Sequence, residues 1–264
     1  MRRVISFACE GETLFGSVDE APGTTGLLII SGGNEIRCGA HRGMAILAAE
    51  LALLDYPVFR FDRRGIGDSS GENGGFTSSG ADIQAAVAAF RAAAPQVNRI
   101  VGFGNCDAAT ALLLHHGGAF DRLILANPWV APETDGLPPA AAIRSRYRER
   151  MRDPASWVRL LTGGVNFGKL MGGIAKIAQT RSPALSALET KVFAKLAETP
   201  NAVIILASGD ATALAFADAA ARAGYAGNRV EIDTPSHSFA RQADKLALRQ
   251  AILSALQPAA PRSG

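Results

Sequence analysis

The stretch Arg99-Ile100-Val101-Gly102-Phe103-Gly104-Asn105-Cys106-Asp107-Ala108-Ala109 constrains this chain more than any other: an apolar run stops at glycine, presents a cysteine and restarts as alanine-rich helix. A strand that turns into a helix within so few residues needs small neighbours at the bend, and it pushes the side chain at the bend clear of the sheet edge. Gly104-Asn105-Cys106-Asp107-Ala108 meets both needs. It is the G-x-S-x-G pattern of a nucleophile elbow, with cysteine for serine and alanine for the last glycine. The helix that follows would direct its positive end at the projecting group and favour negative charge there. The plain alternative is a buried cysteine at an ordinary strand-to-helix junction.

Around this stretch the chain alternates. Residues 3–9 and 13–18 read as two short strands joined at Glu10-Gly11-Glu12, a hairpin. Gly26-Leu27-Leu28-Ile29-Ile30-Ser31 is a continuous apolar run, as expected of a strand covered on both faces. Ala40 to Leu54 follows with apolar residues at helical spacing, then strand Pro57 to Asp62, helix Ser79 to Ala93, the elbow strand, its helix Cys106 to His116, and strand Arg122 to Ala126. After a break, strand Ala202 to Ala207, helix Ala213 to Ala223, strand Arg229 to Asp233 and helix Arg241 to Leu256 complete the series. Strand and helix in alternation predict an α/β fold with a doubly wound, mostly parallel sheet and right-handed crossovers.

The break begins at Asn127-Pro128-Trp129. The residues beyond it contain helical stretches (Ala140 to Met151, Ser156 to Leu161, Leu170 to Gln179, Leu185 to Leu196) interrupted by Gly163-Gly164 and Gly172-Gly173. A segment this long with helices of its own reads as an inserted cap over one edge of the sheet. The expected organisation is a core of residues 1–130 and 200–264 with a helical cap at 131–199. Charge follows the same division: Ala131 to Lys195 holds 11 Lys and Arg against 5 Asp and Glu, leaving 16 against 19 elsewhere, within a total of +3.

No run of about 18 uncharged apolar residues exists, so no spanning helix is expected. The basic start Met1-Arg2-Arg3 meets Glu10 and Glu12 too early for the apolar region of a signal peptide, which predicts a cytoplasmic location. Cys9, Cys38 and Cys106 are odd in number and widely spaced, which argues against a disulfide framework and a metal site. No cofactor is expected. Aromatic residues are 6% of the chain and no nucleic-acid motif occurs, so nucleic acid is excluded as a partner.

In open α/β sheets, reactive groups gather just beyond the carboxyl ends of the strands. Ser31-Gly32-Gly33-Asn34 follows one strand, and its backbone NH groups, from Gly33 or Asn34 with that of Asp107, are the expected oxyanion donors. Asp62-Arg63-Arg64-Gly65-Ile66-Gly67-Asp68-Ser69 follows another and reads as a tight loop without a chemical role. Ser208-Gly209-Asp210 and Pro235-Ser236-His237-Ser238-Phe239 follow the last two strands. Nucleophile, acid and histidine in that chain order is the order of α/β-hydrolases. An unassisted thiol has a pKa of about 8.5, so it needs an imidazole to take its proton, and the imidazole needs a carboxylate to fix its tautomer. Cys106, His237 and Asp210 fill these roles, with Asp233 and Asp218 as competing acids and His41, His115 and His116 as weaker candidate bases.

From Gly26 to about Phe239 the sequence resembles the α/β-hydrolase superfamily, and within it the exosortase A system-associated hydrolase 1 family found with bacterial exopolysaccharide and protein-sorting loci. The echoes are Gly32-Gly33-x-x-x-Arg37-x-Gly39-x-His41-Arg42, Arg60-Phe61-Asp62-x-Arg64-Gly65-x-Gly67-Asp68-Ser69, the elbow, Asn127-Pro128-Trp129, and Asp210-x-Thr212-Ala213. A cysteine at the elbow belongs to that family's pattern. Ser236 departs from it, standing where an acidic residue would precede the histidine. A second resemblance, to dienelactone hydrolase with its Cys-His-Asp triad, implies that Glu35 and Arg37 bind an acidic substrate or regulate the thiol.

Arg144, Arg146, Arg148, Arg150 and Arg152 alternate within the cap. On a helix, alternate residues turn by about 200°, so these side chains would spread over the surface; Arg144 and Arg148 are the candidates for contact with an anionic substrate, a carrier-bound acyl group or a membrane face. Three functions remain open at this point. An ester or thioester hydrolase would work through a Cys106 acyl-enzyme, an acyltransferase would pass the same intermediate to an alcohol, and a binding protein would keep the fold without the chemistry.

Overall fold

The computed structural model describes residues 1–131 and 184–257. Its strands are β1 (Arg2–Cys9), β2 (Glu12–Asp19), β3 (Thr25–Ile30), β4 (Val58–Phe61), β5 (Arg99–Asn105), β6 (Arg122–Ala126), β7 (Val203–Ala207) and β8 (Arg229–Ile232). Between and after them run the helices α1 (Gly43–Ala52), α2 (Gly80–Ala93), α3 (Asp107–His115), α4 (Ala187–Ala197), α5 (Ala211–Ala223) and α6 (Gln242–Leu256). One eight-stranded sheet has the order β1-β2-β4-β3-β5-β6-β7-β8. β1, β2 and β4 pair antiparallel, and every pairing from β4 through β8 is parallel.

The apolar runs make this sheet because successive side chains of a strand point to opposite faces, so a run without polar residues is stable only when both faces are covered. Leu28 and Ile30 enter one core with Ile83 and Phe90 of α2, Leu112 of α3, Phe193 of α4 and Phe216 of α5. Leu27 and Ile29 enter the other with Leu47 and Leu51 of α1 and Leu248 and Ile252 of α6. Fully burying one such aliphatic side chain stabilises the fold by about 1.5–3 kcal/mol, so the parallel half of the sheet is the stable platform under the site. Among the described residues no helix is long and apolar enough to cross a membrane.

One reading changes. The expected helix from Ala40 to Leu54 begins with a 3-10 turn at Ala40–Arg42, in which His41 and Arg42 are left-handed (φ 50° and 59°), and α-helix proper starts at Gly43. Within the stretch expected to close the cap, α4 starts at a capping box between Ser186 and Glu189, and its Val192, Phe193 and Leu196 are buried in the core. The remainder of the expected cap, Arg144 and Arg148 included, lies outside the described residues.

Candidate active site

β5 carries glycine at 102 and 104, on the face that α3 covers, because nothing larger fits. A Cβ on Gly104 would lie 2.6 Å from the backbone of Ala108, and one on Gly102 would lie 2.9 Å from the Leu112 side chain. α3 therefore packs directly on the strand it leaves. The residue at the bend, Cys106, takes φ 63° and ψ −128°. A non-glycine residue there is strained by on the order of 1–3 kcal/mol and persists only where its surroundings over-determine it. They do so here: Cys106 N donates to Ala126 O (2.9 Å), and Cys106 O accepts from Ala109 N (3.2 Å) and Trp129 N (3.2 Å).

His237 lies in the loop after β8, and Asp210 is the first residue past the turn that follows β7. His237 Nδ1 is 3.0 Å from Asp210 Oδ1, which leaves Nε2 unengaged by Asp210, and Cys106 lines the same cavity as the ring. The Asp210 carboxylate is 7% exposed, and its other oxygen, Oδ2, caps α5 by accepting from Thr212 N and Ala213 N at 3.0 Å each. One side chain thus contacts the histidine and caps the helix. The competing acids are engaged elsewhere: Ser208 Oγ donates to Asp233 Oδ1 (3.1 Å), and Asp218 pairs with Arg222 (3.3 Å).

The hydrogen bond to Asp210, then that to Cys106, outweighs desolvation and pushes the His237 pKa up to about 10. For Asp210, burial raises the pKa, but the hydrogen bond from His237, the imidazolium charge and the two backbone NH groups win and hold it below the usual carboxylate value. The pair is therefore an imidazolium against a carboxylate at neutral pH.

The oxyanion loop differs from expectation. Gly33 N donates to Asp107 Oδ1 at 2.7 Å, so this NH is already engaged by a carboxylate. Asp107 Oδ2 also lies 3.6 Å from Arg63 Nη2, which donates to Gly33 O (2.6 Å), while Arg63 Nη1 donates to Ser79 Oγ (2.9 Å). Arg63, read from the sequence as part of a tight loop without a chemical role, is buried and bonds the backbone at Gly33. Gly32 must be glycine for the same reason, because a Cβ there would meet Asp107 Oδ1 at 2.6 Å.

A cavity of about 370 Å³ opens over Cys106 and His237, with Ile30, Phe76, Phe103 and Trp129 among its walls. Asn34 and Glu35 line it; Arg37 does not. Arg37 instead binds the buried Asp62 through both its backbone NH (2.5 Å) and its guanidinium, pairs with Asp68 (2.8 Å), and lines a separate cavity of about 260 Å³ with Arg42 and Arg60. Among the described residues Arg37 thus lines the second cavity and not the one over Cys106. Among the described residues no group of three His, Cys, Asp or Glu is arranged to hold a metal ion.

Sequence reasoning assigned no role to Asn105 and Asn127, although both are prominent here. Asn105 Nδ2 donates to His237 O (3.2 Å), and Asn127 Nδ2 donates to Asn105 Oδ1 (3.1 Å) and His237 O (3.3 Å). The signal available was Asn127-Pro128 directly after a strand, at the point where the alternation breaks.

Among solved structures, the chain is similar to the esterase Pf2001 of Pyrococcus furiosus (15% identity, TM-score 0.66, 97% of this chain and 90% of that chain). It is similar also to XC6422 of Xanthomonas campestris, described as an α/β serine hydrolase without lid (16%, TM-score 0.59, 98% and 97%). A third likeness is to the thioesterase domain from the curacin biosynthetic pathway (15%, TM-score 0.55, 96% and 99%). At these identities the likeness is one of fold, the α/β-hydrolase fold. Among curated proteins none matches the sequence. The family model for serine aminopeptidase, S33, matches residues 26–225, from β3 through the helix that Asp210 caps. On that match, which spans most of the chain and includes Cys106, the protein belongs to the serine aminopeptidase S33 family.

Proposed function

We propose that the protein hydrolyses an ester or thioester through an acyl-enzyme on Cys106, with His237 as base and acid and Asp210 as the carboxylate that orients it. The observation that carries this reading is the 3.0 Å contact between Asp210 Oδ1 and His237 Nδ1 in a site where His237 and Cys106 line the same cavity. His237 holds the proton that leaves the thiol. The sulfur attacks the carbonyl carbon, and the backbone NH groups of Asp107 and Asn34 stabilise the resulting oxyanion. Collapse expels an alkoxide or thiolate, which takes the proton from His237. Water then attacks the thioester as His237 removes its proton; the second collapse releases the acid and restores the starting pair.

The mostly apolar walls favour an uncharged acyl group of modest size. The esterase and thioesterase domain among the structural relatives support the class of bond. The motif resemblance supports a place among the exosortase A-associated hydrolases.

Intact mass after brief exposure to a panel of p-nitrophenyl esters and acyl thioesters tests this reading. The parent gains the mass of the acyl group at Cys106, and Cys106→Ala gains none while kcat falls by about 10⁴-fold or more. Turnover that survives in Cys106→Ala, or a folded parent that neither gains mass nor releases product, would overturn it.

A further inference from the structure

We propose that Asn127 is a positioning residue for this reaction, a buried side chain that holds the elbow strand, the strand leading to Asp210 and the backbone of His237 in one frame. The inference rests on the Cys106 reading above.

His237 needs such a support because it stands in a loop, without a strand ladder to fix it. Ser236 Oγ accepts from Ala240 N (2.9 Å), and Thr234 Oγ1 donates to Asp244 Oδ2 (2.6 Å), but these bonds tie the loop to itself and to α6. The tie to the nucleophile's strand comes from the two asparagines, whose amide groups both donate to His237 O (3.2 and 3.3 Å).

Asn127 extends that tie to a third element. Its Oδ1 accepts from Ala207 N (2.8 Å) at the end of β7, and Asp210 N donates to Ala207 O (3.0 Å) one turn further on. Its own backbone NH donates to Ile205 O (2.8 Å). Both amide hydrogens and the amide oxygen are thus engaged, and the residue is 0% exposed. A fully satisfied buried network of this kind rigidifies what it joins.

The backbone supports the assignment. Asn127 sits at φ 42°, a left-handed conformation that asparagine tolerates better than other side-chain-bearing residues, so it presents its amide where a strand continuing past Ala126 could not. Asn127 is absent from the cavity wall, so it acts through His237 and not by touching substrate.

Asn127→Gly keeps the left-handed backbone without strain and removes the amide. Asn127→Asp keeps an acceptor for Ala207 N but turns an oxygen toward His237 O and Asn105 Oδ1. With folding checked by circular dichroism and thermal unfolding, both variants should lose about 100-fold in kcat, the scale of a small misplacement of a reacting group, with KM unchanged. The His237 ring titration, followed by ¹H–¹⁵N NMR, should move down toward the ordinary histidine value. Asn105→Ala, which removes one of the two donors to His237 O, should show the same changes more weakly and serves if the Asn127 variants do not fold. Parental kcat and parental His237 titration in a folded Asn127→Gly or Asn105→Ala would overturn the proposal. A parent without Cys106-dependent turnover would sink the hydrolase reading instead, while the His237 titration would still decide this one.

Discussion

Two ion pairs at the same edge of the sheet, His237 with Asp210 and Arg37 with Asp62, are built alike and behave differently. Each joins a nearly fully buried carboxylate to a cation from a loop, and each carboxylate also accepts backbone NH groups: Thr212 and Ala213 on Asp210, Arg37 and Asp68 on Asp62. The difference lies in what the cation has left over. Arg37 directs its guanidinium to Asp62, Asp68 and Ser17, and its side chain is 18% exposed. His237 gives Asp210 one nitrogen only; its side chain is 39% exposed and it shares a cavity with Cys106. Saturation makes the first pair a strut, and the spare nitrogen makes the second a candidate for proton transfer.

The largest effect that would sharpen this contrast is on catalysis. Asp210→Asn can still accept from Thr212 N and Ala213 N, so the cap of α5 survives, but the amide would face His237 with the wrong charge and tautomer. We expect kcat to fall by about 10³–10⁴-fold with little change in melting temperature. If the loss of activity is matched by unfolding, Asp210 is a strut as well and the contrast fails.

Asp62→Asn should do the reverse. Removing the buried charge leaves Arg37 with Asp68 as its remaining carboxylate partner, at a cost of about 1.5–3 kcal/mol, read as a lower midpoint of urea unfolding. Turnover per folded molecule should hold. A kcat that collapses at unchanged stability would mean that this second cluster reaches the chemistry.

The smallest effect is on stability against pH. His237 is raised in the fold to about 10, so its contribution is complete below the ordinary histidine value of 6.5 and is lost as pH rises through about 10. Asp210 is lowered, so its contribution is complete above the ordinary value of 3.8 and is lost as pH falls through its folded value. Because His237 is partly solvated, the pair is worth at most about 1 kcal/mol, which corresponds to about 2–4 °C in melting temperature. Melting curves from pH 6 to 10.5 should show this decline in the parent and not in His237→Gln. An equal decline in both would assign it to other groups.

Much of the frame was legible. β3, β6 and β7 begin and end within a residue of their apolar runs, because an uninterrupted Leu27-Leu28-Ile29-Ile30 is stable only between two helical layers. Cys106 was legible for a different reason. The smallness of Gly104 and Ala108 is required by their own neighbours in the chain, and the bend can be read from five residues. The side of the site that depends on distant partners was not. Asp107 was expected to offer its NH, and its carboxylate also takes the NH of Gly33, 74 residues away. Arg37 was expected at the cavity, and Asp62 draws it elsewhere.

What the sequence by itself determined is the alternation of strands and helices, the elbow at Cys106, and the chain order of cysteine, aspartate and histidine. Each follows from spacing within a few residues, where backbone geometry alone decides which side chains share a face or a bend. Only the tertiary structure decided that Asp210 and not Asp233 meets His237, that Arg63 shapes the loop at Gly33, and that Asn127 bonds to residues of three elements. Those choices turn on hydrogen bonds a few tenths of an ångström within or beyond reach, and the order of strands in the sheet sets such distances only once the whole chain has folded.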